Sequence, residues 1–276
     1  MLTIVRERLL PLLCGLVGLV VVCGSAHAQA TDFKLAGHCL VLDYDATPGA
    51  VSSYTWSGPC DAAGYANGRG ELRAFRDGRL DEATQGSLVR GRLQGIAHTS
   101  DSKGYAFQGN YSDGLREGQG VVSRGSSYRY IGSFHAGEQD GWGVIDLADG
   151  KHYEGEFHHG EPAGRGTETG LRAAGQRYRY EGDFVHGQWS GHGTLSWARG
   201  DRYEGEFRTG KCDGWGLWTW ADGRRYEGSF AAGLPSGWGR LSYADGTSVV
   251  GRFFEGKSLV DLSDADMRAP LLAGRH

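Results

Sequence analysis

Aromatic and charged residues alternate along much of the chain. Around Tyr203, the residues Tyr203, Gly205 and Phe207 alternate with charged residues. A period of two places the aromatic side chains on one face of a β-strand and the charged side chains on the other. After a short turn at 208–210, the alternation continues in a second stretch that contains Trp218. Each such unit is predicted to be a β-hairpin.

The hairpin pattern returns at an almost constant interval. Its marker is the glycine between the two aromatic residues, which recurs after 28, 23, 23, 23, 27, 23, 23 and 23 residues. A fixed period of this length is typical of proteins in which similar units stack in a row. Because a lone hairpin is marginal in water, we expect about nine units of period 23 in one antiparallel sheet. The marker glycines are Gly58, Gly86, Gly109, Gly132, Gly155, Gly182, Gly205, Gly228 and Gly251.

Five regular units carry aromatic residues and glycine on the same face. Stacked units line up the rings of adjacent strands, and glycine leaves bare backbone on which a ring can lie. These residues are therefore predicted to be structural: Tyr130, Tyr153, Tyr180, Tyr203, Tyr226, Phe134, Phe157, Phe184, Phe207, Phe230, Gly132, Gly155, Gly182, Gly205 and Gly228.

Turn signals and one irregularity divide the repeats. The pairs Asp149-Gly150, Asp222-Gly223 and Asp245-Gly246 predict two-residue hairpin turns. Four extra residues lie within 167–179, and Glu168 stands where other units have an apolar residue. We interpret this segment as a bend or hinge loop; a tolerated surface insertion is the alternative.

The first residues of the chain resemble a leader rather than a repeat. Arg6 and Arg8 precede the apolar run 9–23, which small residues follow. This order is typical of a secretory signal peptide, here residues 1–28, with cleavage after Ala28 or Ala30. An uncleaved anchor and a lipid on Cys23 are the alternatives. We expect export, to the periplasm or outside the cell.

Composition narrows the class of protein further. Glycine makes up 48 of 276 residues, but 13 Tyr, 10 Phe and 8 Trp argue against a disordered linker. Without residues 1–28 the chain keeps 27 Lys and Arg against 32 Asp and Glu. This acidic balance argues against nucleic-acid binding and gives no attraction to anionic lipid.

Cysteines and repeat quality suggest the domain limits. Oxidants outside the cytosol favour a disulfide between Cys39 and Cys60, which leaves Cys212 unpaired or able to link two chains.

We predict an N-terminal cap with a degenerate first repeat over 29–83. The repeat array covers 84–257, with clean units over 130–246, and 258–276 form a C-terminal cap or a free tail.

The motifs "YEGEFHHG", "YEGDFVHG", "YEGEFRTG" and "YEGSFAAG", each followed by G-x-G, resemble the membrane occupation and recognition nexus (MORN) repeat. The resemblance implies an elongated, single-layer, twisted antiparallel sheet shaped like a half-pipe. It also implies scaffolding, dimerisation or contact with membrane lipid. Some members carry a catalytic domain beside the repeats; we expect none here.

Candidate chemistry is sparse. Neither G-x-S-x-G nor H-E-x-x-H occurs, so we predict no catalytic residue and no cofactor. Four histidines recur at the first turns of consecutive units, which lie about 10 Å apart, so their side chains do not converge on one metal ion. The neighbours His158 and His159 would point to opposite faces in an extended strand. We therefore predict no metal site. Acidic residues on the charged face are interpreted as solvated, with arginines beside them.

Tryptophan gives the best binding signal. Trp142, Trp215 and Trp238 stand between the two glycines of G-x-G, on the face opposite the aromatic rows. Large aromatic residues on a polar face mark contact surfaces, although each ring can also lie flat over its neighbours. With Trp218 and Trp220 of the aromatic groove, they are our predicted binding residues.

The leading hypothesis is an exported, non-enzymatic scaffold for a protein partner or a second copy. The alternative is an envelope module that binds glycan or lipid.

Overall fold

A computed structural model describes residues 33–42, 53–172 and 175–258. The predicted signal peptide, and the predicted C-terminal cap or tail beyond Ser258, lie outside them. The strands are β1 Phe33–Ala36, β2 Cys39–Leu42, β3 Ser53–Trp56, β4 Gly68–Arg76, β5 Arg79–Val89, β6 Arg92–Asp101, β7 Tyr105–Ser112, β8 Leu115–Arg124, β9 Tyr128–His135, β10 Glu138–Leu147, β11 His152–His158, β12 Glu161–Arg172, β13 Gln176–Val185, β14 Gln188–Trp197, β15 Arg202–Arg208, β16 Lys211–Thr219, β17 Arg225–Ala231, β18 Leu234–Ser242, β19 Ser248–Phe254 and β20 Lys257–Ser258.

All described strands belong to one open sheet, in which consecutive strands from β3 to β19 pair antiparallel and β3 also pairs parallel with β1. β20 pairs with β19, and β1 lies between β2 and β3. The all-β, single-sheet prediction is thereby confirmed. Among the described residues, no helix has the length and apolarity needed to span a membrane.

Tight turns close one edge of the sheet. In the described part of the chain, eight turns at this edge have a non-glycine residue with positive φ followed by a glycine with positive φ, as in Thr209 (46°) and Gly210 (76°). A ninth such pair, Asp77 and Gly78, joins β4 to β5 at the opposite edge. Two such residues define a type I′ turn, whose twist matches that of the flanking strands. Backbone bonds also join consecutive turns: the amide of Gly210 donates to the carbonyl of Trp189 at 2.9 Å, and that of Gly233 donates to Cys212 at 2.9 Å.

The turns at the other edge differ from the prediction. Leu147 and Lys151 close a loop through a 2.9 Å backbone bond, so three residues lie between them rather than two. Gly150 has a φ of 82°, but the φ of Asp149 is not positive. This is a three-residue loop that ends in a left-handed glycine. The carboxylate of Asp149 caps it by accepting the amide of Lys151 at 2.9 Å.

Aromatic rings form a continuous row along one face, which we call the aromatic face. Each repeat tyrosine packs edge-to-face on two phenylalanines, one in its own unit and one in the next. Tyr203 lies 5.1 Å from Phe207 and 4.9 Å from Phe230. Such pairs contribute about 0.5–1.5 kcal/mol each beyond burial. The five repeat tyrosines are at most 2% exposed, so the row is the core of the protein.

A bulge explains why these positions hold tyrosine. Between Gly205 and Phe207, a single residue of β15 faces three residues of β16. That single residue is Glu206, and the hydroxyl of Tyr203 donates to its backbone carbonyl at 2.9 Å. The other four repeat tyrosines make the same bond at 2.8–3.1 Å. A phenylalanine would leave this carbonyl without that donor.

A covalent link closes the N-terminal part of the sheet. Cys39 and Cys60 form a disulfide with a sequence separation of 21 residues, as predicted. A loop of this length contributes about 3 kcal/mol on the chain-entropy estimate. β2 also crosses the first turns, where the amide of Leu42 donates to the carbonyl of Gly91 at 2.9 Å.

The irregular segment 167–179 lengthens a hairpin. β12 and β13 remain paired to their ends, where Arg172 faces Gln176. Glu168 lies between Tyr153 and Tyr180 on the aromatic face and is only 6% exposed. Lys151 neutralises it at 2.9 Å, and the hydroxyl of Tyr178 donates to it at 2.7 Å. The bend or hinge at this segment stays a prediction.

Candidate interaction surface

The tryptophans predicted for binding lie on both faces of the sheet. Trp142 and Trp215 are 54% and 37% exposed, and Trp238 is half-buried. They face Glu156, Ser229 and Arg252 on the neighbouring strands. These partners alternate with aromatic-face residues, so all three rings stand on the opposite face, which we call the polar face.

The bulge determines where the tryptophan backbone points. Gly214, in the bulge, has a φ of 110°. The amide of the next residue, Trp215, donates to the side-chain carboxylate of Glu206 on β15 at 3.0 Å. Glu156 and Asp183 hold the amides of Arg165 and His192 in the same way, at 3.2 and 3.1 Å. The expectation that these three carboxylates are only solvated is therefore wrong. They are structural acceptors.

Other acidic residues of the polar face are solvated, as the sequence predicts. Glu181 pairs with Arg179 at 2.8 Å and Glu204 with Arg202 at 2.8 Å, both on exposed side chains. Exposed pairs of this kind contribute little to stability. They leave charged side chains exposed on the polar face.

Apolar side chains extend the exposed area near Trp142. Ile131 is 38% exposed and faces Val121 on β8 and Val144 on β10. Ile96, which occupies the slot of Trp142 in an earlier unit, is 77% exposed. Sequence reasoning missed both isoleucines. Their alternation with aromatic-face residues was the signal that would have found them.

The aromatic face has a second cluster of indoles, which we call the indole cluster: Trp197, Trp218 and Trp220. The ring centroids of Trp197 and Trp218 lie 5.0 Å apart, and those of Trp218 and Trp220 lie 6.0 Å apart. All three are half-buried. The guanidinium of Arg224 lies 5.1 Å from the Trp220 ring. The Nε1 of Trp218 is buried without a hydrogen-bond partner.

Cysteine chemistry is limited in the described part of the chain. Cys212 is 6% exposed, and burial raises the pKa of its thiol to about 12. A protonated, buried thiol is a poor nucleophile, so a link between two chains is disfavoured. One group of three potential metal ligands, His38, Cys39 and Cys60, occurs among the described residues. Its two sulfurs are bonded to each other.

Comparison with models of protein families shows which family the chain belongs to. The MORN repeat model matches six segments, residues 107–125, 130–152, 153–170, 180–202, 203–224 and 226–248. The chain belongs to the MORN repeat family. None of the curated proteins compared with it matches. The units marked by Gly58, Gly86 and Gly251, and with them the count of nine, stay predictions.

The MORN repeat sheet is a scaffold that generally binds proteins, and proteins built from MORN repeats alone are typically non-catalytic. The indole cluster and the polar-face tryptophans both lie within the matched MORN repeats. The family therefore agrees with a binding surface rather than with a reaction centre.

Proposed function

We propose that this MORN repeat protein is an exported, non-enzymatic scaffold that binds a protein partner, or a second copy of itself, in the cell envelope. The observation that carries the proposal is the exposure of Trp142 and Trp215, 54% and 37%, on the face that also carries the acidic and arginine side chains. Tryptophan is enriched among residues that dominate binding energy, because a large ring buries much area at low entropic cost.

The slot between the two glycines provides matched controls. Trp142, Trp215 and Trp238 share it with Gln119, Arg165 and His192 of other units. Substitution of either set by alanine changes the same backbone position and none of the aromatic core. A difference between the two triple variants therefore reports side-chain contacts with a partner.

The test is quantitative capture of partners from the cell envelope by the tagged protein. The triple tryptophan variant should lose at least tenfold of the captured partner, since truncation of a central tryptophan costs about 2 kcal/mol or more. The control variant should retain it. Sedimentation velocity of the same proteins measures self-association. Equal capture and equal association by both variants would remove the assignment.

Export needs its own test. The run 9–23 after Arg6 and Arg8 supports a cleaved signal peptide. N-terminal sequencing of the protein from fractionated cells should find Gln29 or Thr31 as the first residue. An intact Met1 in the cytosolic fraction would refute export while leaving partner binding open to the capture test.

The indole cluster supports a second candidate function, glycan or lipid binding. Stacked aromatic rings offer flat apolar platforms that suit sugar rings, and Arg224 adds a cation at 5.1 Å from Trp220. Binding on a glycan array that is lost in Trp220→Ala, and kept in the triple polar-face variant, would favour a glycan. Co-sedimentation with vesicles would favour lipid, which the acidic balance of the chain disfavours.

A further inference from the structure

Two histidines stand side by side at one tight turn. His158 ends β11, and His159 is the first residue of the following type I′ turn, with a φ of 49°. In an extended chain their rings would point to opposite faces. The positive φ of His159 instead brings the two rings together, with centroids 4.1 Å apart and planes tilted by 48°. The expectation of opposite directions was therefore wrong at this turn.

Both rings are fixed through the same nitrogen. The Nδ1 of His158 lies 2.9 Å from Oδ2 of Asp140, and the Nδ1 of His159 lies 2.9 Å from Oε2 of Glu138. A carboxylate can only accept, so Nδ1 carries the hydrogen in each ring. Glu138 and Asp140 are two positions apart on β10 and share a side of the strand. In the neutral ring, a hydrogen on Nδ1 leaves the lone pair on Nε2.

The two Nε2 nitrogens are accessible. The side chains of His158 and His159 are 66% and 73% exposed. Metal-binding histidines almost always donate their second ring nitrogen to a carboxylate, which orients the ring and raises its basicity. This turn provides the arrangement in both histidines, whose ring centroids lie 4.1 Å apart.

We propose that His158 and His159 form a binding site for a divalent transition-metal ion, held by Nε2 of both imidazoles. Asp140 and Glu138 orient the rings, and water completes the coordination. Imidazole ligands suit Cu²⁺, Ni²⁺ and Zn²⁺, and affinity should follow the usual order, with Cu²⁺ bound most tightly. Ca²⁺ and Mg²⁺ prefer oxygen ligands and should not bind.

Neighbouring turns contain the single-histidine version of the same arrangement. His135 pairs with Glu117 at 3.2 Å, and His186 pairs with Glu161 at 3.0 Å. Each has a carboxylate on Nδ1 and an exposed ring, but no other histidine of the described residues stacks beside it. They are internal controls, since the proposal requires two adjacent rings and not merely an oriented one.

The experiment is calorimetric titration of purified, untagged protein with Cu²⁺, Ni²⁺, Zn²⁺ and Mg²⁺. The protein should bind one transition-metal ion at this site. His158→Asn and His159→Asn should each weaken binding at least tenfold; asparagine accepts the positive φ at position 159. Asp140→Asn should weaken it about tenfold through the lost orienting charge. His186→Asn should change it less than twofold.

Two results would overturn the proposal: unchanged titration of His158→Asn/His159→Asn, or an equal loss in His186→Asn. If an asparagine variant does not fold, Cu²⁺-induced broadening of histidine ring signals in the unmodified protein decides. Selective broadening of His158 and His159 supports the site, and uniform broadening of all exposed histidines refutes it.

Discussion

Gly193→Ala tests whether glycine is present to make room for a ring. A Cβ at this position would lie 2.6 Å from Cε2, 2.6 Å from Oη and 2.7 Å from Cζ of Tyr180. Ordinary contacts lie about 1 Å farther out. The backbone of Gly193 is outside the positive-φ region, so the effect is steric and not conformational.

The ring of Tyr180 has nowhere to move. It is fully buried, stacks on Trp189 at 4.6 Å and packs edge-to-face on Phe207 at 4.9 Å. Its hydroxyl donates to the carbonyl of Asp183 at 2.9 Å. Overpacking costs about 1–3 kcal/mol, and displacing the hydroxyl adds about 1 kcal/mol. We expect Gly193→Ala to lower the free energy of unfolding by about 3 kcal/mol.

A double-mutant cycle separates this cause from others. In the Tyr180→Ala background the three nearest obstacles are gone, and alanine restricts the unfolded chain more than glycine. The same substitution should then be neutral or stabilise by about 0.4–1 kcal/mol. Tyr153 and Gly166 form an equivalent pair, with Cβ distances of 2.6 Å to Cε2 and Oη, for use if Tyr180→Ala does not fold.

The assay is urea unfolding followed by tryptophan fluorescence, with hydrogen exchange to locate the loosened units, because repeat arrays need not unfold in one step. A loss below about 0.5 kcal/mol for Gly193→Ala would refute the reasoning. So would an equal loss in the Tyr180→Ala background, because the cost would then not arise from the ring.

Three further predictions concern the bulge, the thiol and the tyrosines. Glu206→Ala should cost about 1 kcal/mol by orphaning the amide of Trp215, while the exposed Glu204→Ala should cost less than about 0.5 kcal/mol; equal urea midpoints would contradict the bulge assignment. Cys212, with its pKa raised to about 12 by burial, should resist alkylation at pH 8 until the protein unfolds, and rapid labelling of the native protein would disprove its burial. Burial raises the pKa of Tyr111 to about 12, whereas a tyrosine in the unfolded chain has a pKa of about 10. Because the unfolded state ionises first as the pH rises, the free energy of unfolding should fall between about pH 10 and 12. The absorbance of tyrosinate should therefore follow unfolding rather than precede it.

Local sequence pattern was sufficient for the architecture. A period of two assigns Tyr203 and Phe207 to one face regardless of what lies far away, and the fixed recurrence of Gly205 and its equivalents implies stacked copies. The predicted disulfide between Cys39 and Cys60 follows similarly from the small number of cysteines that remain outside the predicted signal peptide. These properties depend on neighbours in sequence, or on an interval that the sequence displays directly.

The polar-face positions of Trp142, Trp215 and Trp238 also followed from parity. Their degree of exposure did not, because it depends on the side chains that surround each ring in the folded sheet. Glu206 looked like another solvated carboxylate, and only the register of β15 on β16 shows that it accepts an amide. Glu168 looked like a break in the pattern, yet Lys151, in the loop before β11, pairs with its carboxylate, and the hydroxyl of Tyr178 on β13 donates a hydrogen bond to it.

The sequence by itself determined the alternation, the repeat and the glycine-ring face, since these are properties of backbone geometry within one unit. Tertiary structure alone decided which turns have two residues, which carboxylates are structural and that His158 and His159 stand together. Those outcomes depend on dihedral angles at single turn residues and on partners about 20 residues away. No local pattern of apolar and polar positions contains that information.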